Sequence, residues 1–160
     1  MPTSDTVKVQ QDSSVILTDG SGTDFTIPYV DGAGSIDGIN YDQTEPIVVF
    51  AKRSFLGIRR GAYRPVTFSF TAYMSEFTSA TATSLVDFVR FQNAFSGNTS
   101  RTAGYDHKVI RVRFQVAAVD DDGDTHQMTM DDCQCDIAFG EGEPNQFTLS
   151  GTCYGGITVQ

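Results

Sequence analysis

Asp120, Asp122 and Asp124 stand two residues apart, and Asp131 falls at the twelfth position counted from Asp120. Carboxylates at the first, third, fifth and twelfth positions are the pattern with which a calcium loop surrounds a hard cation with oxygen. The glycine argues against that chemistry. A calcium loop turns on glycine at its sixth position, whereas Gly123 is fourth, the twelfth ligand should be a bidentate Glu, and the flanking segments here read as strands where helices are required. Asp122-Gly123 suits instead a tight turn joining KVIRVRFQVAAV to THQMTM. His107 and His126, the only histidines, sit in or beside loops with no cysteine or carboxylate at ligand spacing. Glu141 and Glu143 are paired carboxylates, but glycoside hydrolysis takes its pair from separate strands across a cleft, so these read as loop acids. There is no G-x-S-x-G elbow, no Walker lysine, and no G-x-G-x-x-G after a strand. The expectation is a protein without catalytic residues, metal or cofactor.

Cys133, Cys135 and Cys153 complete the reactive inventory. Cys133 and Cys135 lie two apart in a strand-like segment and so share a face. An odd count argues against a disulfide framework, and the spacing is not that of a zinc site. All three are expected to be buried, apolar thiols.

The strongest concentration of one charge is basic. Lys52, Arg53, Arg59, Arg60 and Arg64 fall within thirteen residues, interleaved with Phe55, Leu56, Ile58 and Tyr63. Such a stretch can be the positive half of a protein interface, a nucleic-acid patch or a solvated loop. The interface reading fits the rest of the chain best. Net charge is -9, distributed as -7 over residues 1–51, +5 over 52–64, +2 over 65–118 and -9 over 119–160. An acidic molecule with one basic stripe is suited to docking head to tail on copies of itself, whereas a protein built to grip phosphates is basic overall.

The elements that must carry these residues are strands. PVTFSFTAYMSE alternates Val66, Phe68, Phe70, Ala72 and Met74 against Thr67, Ser69, Thr71, Tyr73 and Ser75. KVIRVRFQVAAV sets Ile110, Val112, Phe114 and Val116 against Val109, Arg111, Arg113 and Gln115. CQCDIAF groups Cys133, Cys135, Ile137 and Phe139, and NQFTLSGTCY points Phe147, Leu149 and Cys153 inward. Weaker strands are expected at 14–18, 23–30 and 46–52, with Pro28 placing the second at an edge. One helix is expected over about 79–95, with Leu85, Phe88, Phe91 and Phe95 on one stripe, Ser79 as cap and Gly97 at the left-handed stop. Residues 31–45 and 96–106 read as loops. Many outward positions are Thr, Ser and Tyr, and the strands leave edges suited to pairing with another chain, although a monomeric sandwich can look the same. At 160 residues one domain accounts for the chain, with a long loop region at about 31–64, and the fold class is mainly β: an antiparallel sandwich or barrel with one flanking helix. No stretch reaches the roughly 18 apolar residues of a membrane helix, and the polar N-terminus has no secretory pattern, which points to a soluble protein made in a cytoplasm.

In order and pattern, FLGIRRGAYRPVTFSFTAYM, the helical SLVDFVRFQNAF and the C-terminal DDCQCDIAFGEGEPNQFTLSGTCYGG together resemble a siphophage tail tube protein, also called a major tail protein. The resemblance covers most of the chain and has no catalytic motif to anchor it. It implies hexameric rings whose inner sheets join around a channel, and stacking of rings through a long loop, which would fall between Asp31 and Arg64. It also implies partners: a tape measure protein, tail terminator and distal tail proteins, and DNA in transit, in a virion tail. Acidic walls repel phosphate, so Asp120, Asp121, Asp122, Asp124, Asp131, Asp132 and Asp136 are candidate lumen or interface residues, and Lys52, Arg53, Arg59, Arg60 and Arg64 are candidate contacts between rings. The runner-up is a β-sandwich recognition module on a virion surface. Sugar-binding sandwiches commonly display Trp platforms, and this chain has none.

Overall fold

A computed structural model describes residues 13–27, 35–40, 44–73, 85–104, 107–116, 126–140 and 146–160. Its strands are β1 (Ser13–Thr18), β2 (Asp24–Thr26), β3 (Ser35–Asn40), β4 (Thr44–Ala51), β5 (Ser54–Tyr63), β6 (Val66–Tyr73), β7 (Ile110–Val116), β8 (His126–Gly140), β9 (Gln146–Cys153) and β10 (Ile157–Val159); between β6 and β7 the described residues hold one α-helix, α1 (Leu85–Arg90), and a 3-10 turn at Asn93–Phe95. Eight strands form one antiparallel sheet in the order β2-β1-β7-β8-β9-β6-β3, with β10 added along β8, while β4 and β5 pair only with each other. The chain is therefore mainly β, as its alternation predicts. No helix among the described residues is long and apolar enough to cross a membrane.

The large sheet folds back on itself. β7 and β6 are three positions apart in the strand order, which on a flat sheet would separate them by about 14 Å. Yet the Phe114 ring on β7 lies 6.1 Å from Phe68 and 6.3 Å from Phe70, both on β6. The inward faces expected from alternation close this core: Val66, Phe68 and Phe70, then Ile110, Val112 and Phe114, then Phe147, Leu149 and Cys153 are all buried. Phe139, grouped with Cys133 by sequence, emerges at the end of β8 and is 47% exposed.

Four expectations need correction. THQMTM and CQCDIAF are not two strands but one, the fifteen-residue β8; Asp120–Asp124, between β7 and β8, lie outside the described residues. Within the loop expected at 31–45, Ser35–Asn40 is a strand paired with β6, and its Asp and Gly form a bulge at Asp37 between Ile36 and Gly38. Within the long loop region expected at about 31–64, Thr44–Ala51 and Ser54–Tyr63 are strands, so Arg59 and Arg60 lie on β5 while Lys52 and Arg53 form the turn before it and Arg64 follows it. Among the described residues the helix is Leu85–Arg90, with 79–84 outside them, and it stops short of Phe95 because Phe91 and Asn93 take left-handed φ values of 54° and 50°. This turn brings Phe95 edge-on to Phe88 at 5.1 Å and to Phe25 of β2 at 5.7 Å, while Phe25 stacks on Phe88 at 5.2 Å. Packing of the three rings, worth about 0.5–1.5 kcal/mol per pair beyond burial, outweighs continuing a short helix. Gly97 is not the left-handed stop.

A buried carboxylate joins this corner to the sheet edge. Asp19, fully buried in the β1–β2 turn, accepts hydrogen bonds from the Ser21 amide (3.0 Å) and hydroxyl (2.7 Å), the Thr23 amide (2.7 Å) and, from beyond the helix, the Thr99 amide (3.0 Å). Burial pushes its carboxyl up, but the Ser21 hydroxyl and the Thr99, Thr23 and Ser21 amides together hold it below its ordinary value of 3.8. A carboxylate with a depressed folded-state value stabilises the fold above the unfolded value, and the contribution is lost as pH falls through the folded one. Asp19→Asn is expected to cost about 2 kcal/mol at pH 7, with the gap from wild type narrowing below about pH 4; urea denaturation across this range measures both.

Gly151 marks the tightest approach within the sheet. It lies opposite Phe68 and Cys135, and a Cβ there would come within 2.5 Å of the Phe68 ring and 2.6 Å of the Gln134 carbonyl oxygen. Gly151→Ala should destabilise the protein by about 1–3 kcal/mol in chemical denaturation, because the backbone atom cannot yield.

Candidate assembly surface

Among the described residues, β4 and β5 form a separate two-stranded arm that pairs with no other strand. PIVVFA, over residues 46–51, is apolar at every position, so whichever face a sheet might cover, the other stays greasy. No residue of either strand is buried, and Ile47, Val48, Phe50, Phe55, Leu56 and Ile58 are between 46% and 64% exposed. One face carries the cross-strand pairs Pro46 with Arg60, Val48 with Ile58 and Phe50 with Phe55, the last two rings meeting edge-on at 6.2 Å. The other carries Ile47 with Arg59, Val49 with Gly57 and Ala51 with Ser54, and Leu56 sits in a bulge. At the base, the Tyr63 hydroxyl donates to the Tyr154 carbonyl oxygen at 3.4 Å. An isolated two-stranded hairpin is marginal in water. Contiguous exposed apolar surface of this kind marks an interaction site, and covering six such side chains would contribute on the order of 5–10 kcal/mol before ordering costs.

The five predicted basic contacts all lie on or beside this arm and are not equivalent. Arg64 at the base is neutralised by Glu45 of its own arm at 2.8 Å. Lys52 and Arg53 form the two-residue tip, while Arg59 and Arg60 take opposite faces; these four have no ion-pair partner among the described residues. The tip is conformationally costly. Lys52 and Arg53 hold φ at 44° and 71°, as a type I′ turn requires, a turn that Asn-Gly makes with little strain and that costs ordinary residues about 1–2 kcal/mol each. Local structure is sacrificed there to present two cations.

The predicted acids divide. Asp131 is spent inside the chain, on Arg111 at 2.6 Å and Arg101 at 3.2 Å, and Asp132 on Arg101 at 3.8 Å and the Thr102 hydroxyl at 3.3 Å. Asp136 is exposed on β8 without an ion pair among the described residues, whereas Asp120, Asp121, Asp122 and Asp124 lie outside them. Asp136 borders an open crevice of about 610 Å³ between α1 and β8, lined by Val86, Val89, Cys135 and Ile137 with Arg90, His107 and Lys108 at its rim. No group of three or more metal-ligating side chains occurs among the described residues. The side chains of His126, Glu141 and Glu143 lie outside them. Sequence alone missed the exposure of Ile47, Val48 and Phe50, although a run apolar on both faces was its signal.

No protein-family profile matches the chain, and no curated protein sequence matches it. Solved structures do. A chain of the sheath–tube complex of an extracellular contractile injection system (PVC, extended state) is similar at 10% identity with a TM-score of 0.57, over 99% of this chain and 93% of that one. A chain of the six-fold symmetrised baseplate of the anti-feeding prophage is similar at 9% identity and a TM-score of 0.60, over 98% and 97%. A chain of the cap terminating the tube of that prophage is similar at 11% identity and 0.54, over 99% and 97%. At these identities the likeness is one of fold, and it spans the full length of the chain.

Replacing Lys52-Arg53 by Asn-Gly should relieve the tip. Hydrogen exchange of the arm amides is expected to slow by about tenfold, the equivalent of about 1.4 kcal/mol, while amides of the large sheet stay unchanged; equal exchange in both proteins would show that the tip stores no strain.

Proposed function

We propose that this chain is the repeating subunit of a phage-type tail tube and acts by assembly rather than by catalysis. Copies close into hexameric rings through the open ends of the large sheet, and the β4–β5 arm of each copy docks on the next ring. The carrying observation is the arm itself, a paired strand segment with an exposed apolar surface and, among the described residues, four cations without an ion-pair partner. The two ends of the strand order, β2 and β3, offer unlike edges, as head-to-tail pairing needs. The structural neighbours add support, since they come from a sheath–tube complex, a six-fold baseplate and a tube cap. The sequence resemblance is to tubes of non-contractile tails, whereas one structural neighbour comes from the sheath–tube complex of a contractile injection system; a tube is what the two have in common. In this reading the tube is built on a tape measure protein, closed by terminator and distal tail proteins, and passes DNA during ejection from the virion tail. Asp136 and Asp120–Asp124 are its candidate lumen acids, which would repel phosphate and keep DNA from adhering.

Negative-stain microscopy of concentrated protein tests this reading. Wild type should form rings and stacked tubes, and Arg59→Glu with Arg60→Glu should leave rings while shortening or abolishing tubes. A strict monomer at every concentration and ionic strength would refute the tube and favour the recognition module.

A further inference from the structure

Cys133 and Cys153 are directly opposed on the adjacent antiparallel strands β8 and β9, and both are fully buried. The ladder fixes which kind of pair they make. The Tyr154 amide donates to the Asp132 carbonyl oxygen at 3.1 Å, so residues 132 and 154 occupy a hydrogen-bonded position and the next pair, 133 with 153, a non-hydrogen-bonded one. At such positions the Cα atoms approach to about 4.5 Å and the side chains are closer than at the alternate sites. That separation falls within the roughly 4.4–6.8 Å that a disulfide spans. The thiols also converge on one acceptor, the Asp131 carbonyl oxygen, at 3.8 Å from the Cys133 sulfur and 3.1 Å from that of Cys153. Cys135 cannot substitute, since it is two residues from Cys133 on the same strand and faces Gly151 across the ladder.

We infer that Cys133 and Cys153 are a latent cross-strand disulfide, which closes when the protein meets an oxidising disulfide-containing solution and staples β8 to β9. In the closed strand pair the neighbouring Cys153 sulfur and burial hold Cys133 well above the ordinary thiol range. Either thiol can become the nucleophile once the strands open, Cys153 for example. The Cys153 thiolate attacks a sulfur of a small-molecule disulfide such as oxidised glutathione, forming a mixed disulfide and expelling one glutathione thiolate. Cys133 then loses its proton and attacks the Cys153 sulfur, expelling the second. Two protein thiols are oxidised, one glutathione disulfide is reduced to two thiols, and no other reactant is needed. Because both sulfurs are buried, exchange takes place while the strands are open, during folding.

The test is to unfold the full chain and refold it in a buffer of oxidised and reduced glutathione, then alkylate under denaturing conditions and map the peptides. Of the three thiols, one should remain, at Cys135, with intact mass lower by two hydrogens and a peptide linking Cys133 to Cys153. Cys135→Ser should oxidise like wild type, whereas Cys133→Ser and Cys153→Ser should not form the bond. The oxidised protein should melt several degrees higher than its reduced form, because a cross-link of this span restricts the unfolded chain. Three free thiols after oxidative refolding of protein that regains its native circular dichroism would overturn the inference, as would a link made to Cys135. Neither result bears on the tube, which does not require the bond.

Discussion

The fold turns on a dislocation in its longest strand. Along β8 the inward side chains are even-numbered up to Met130 and odd-numbered from Cys133, because Asp131 and Asp132 together oppose the single residue Arg111 of β7. Asp132 takes a left-handed φ of 51° to make this bulge. Without it, a one-residue slip would turn Cys133 and its neighbours outward and expose one half of the core. The bulge also changes the partners of β8, which lies beside β10 before the break and beside β9 after it. Asp131 holds the junction: its carboxylate binds Arg111 and Arg101, its amide donates to the Gly156 carbonyl oxygen at 3.0 Å, and its carbonyl oxygen receives the Gly155 amide at 3.1 Å. An acid that composition alone would send to the surface is a bracket at the meeting of three strands and the loop before β7.

That junction allows one sheet to serve as both halves of a sandwich. β7 and β6 meet through Phe114, Phe68 and Phe70, and the faces that touch are those that alternation marks as apolar. The body therefore buries most of the apolar faces that alternation marks, with Phe139 an exception at the end of β8. The arm does not, although it is as apolar as any core strand. In the proposed tube, stability and association would therefore be carried by different segments, and substitutions in the arm would alter assembly while leaving the fold intact.

This division explains which features were legible in the residues. β6, β7 and β9 are half-buried strands whose period of two is unbroken, and their inward faces could be read directly. β8 could be read only in pieces, since its period is interrupted; the parity change between Met130 and Cys133 is visible once both sides are treated as one strand. The helix was overextended because Leu85, Phe88, Phe91 and Phe95 keep helical spacing, while the contact of Phe95 with Phe25 belongs to tertiary structure that no local pattern encodes. The arm was half legible. Its charges were plain, but high β propensity in PIVVFA looks the same in a core strand as in an arm awaiting a partner, and only burial separates the two.

In the proposed tube, the two ingredients of the arm do different jobs. Its apolar side chains supply most of the association energy, but such contact is indifferent to orientation and would equally let two arms pair face to face. Lys52, Arg53, Arg59 and Arg60 remove that alternative, since a symmetric pairing would bring eight cations together, and like charges in contact oppose the wrong partner more strongly than unlike ones favour the right one. The arm must then find a different, acidic surface on the next copy. Unlike surfaces meeting repeatedly generate an open, directional polymer rather than a closed dimer. Leaving Arg64 tied to Glu45 at the base confines the free charge to the tip and middle of the arm, where it can act on a neighbour rather than on its own body.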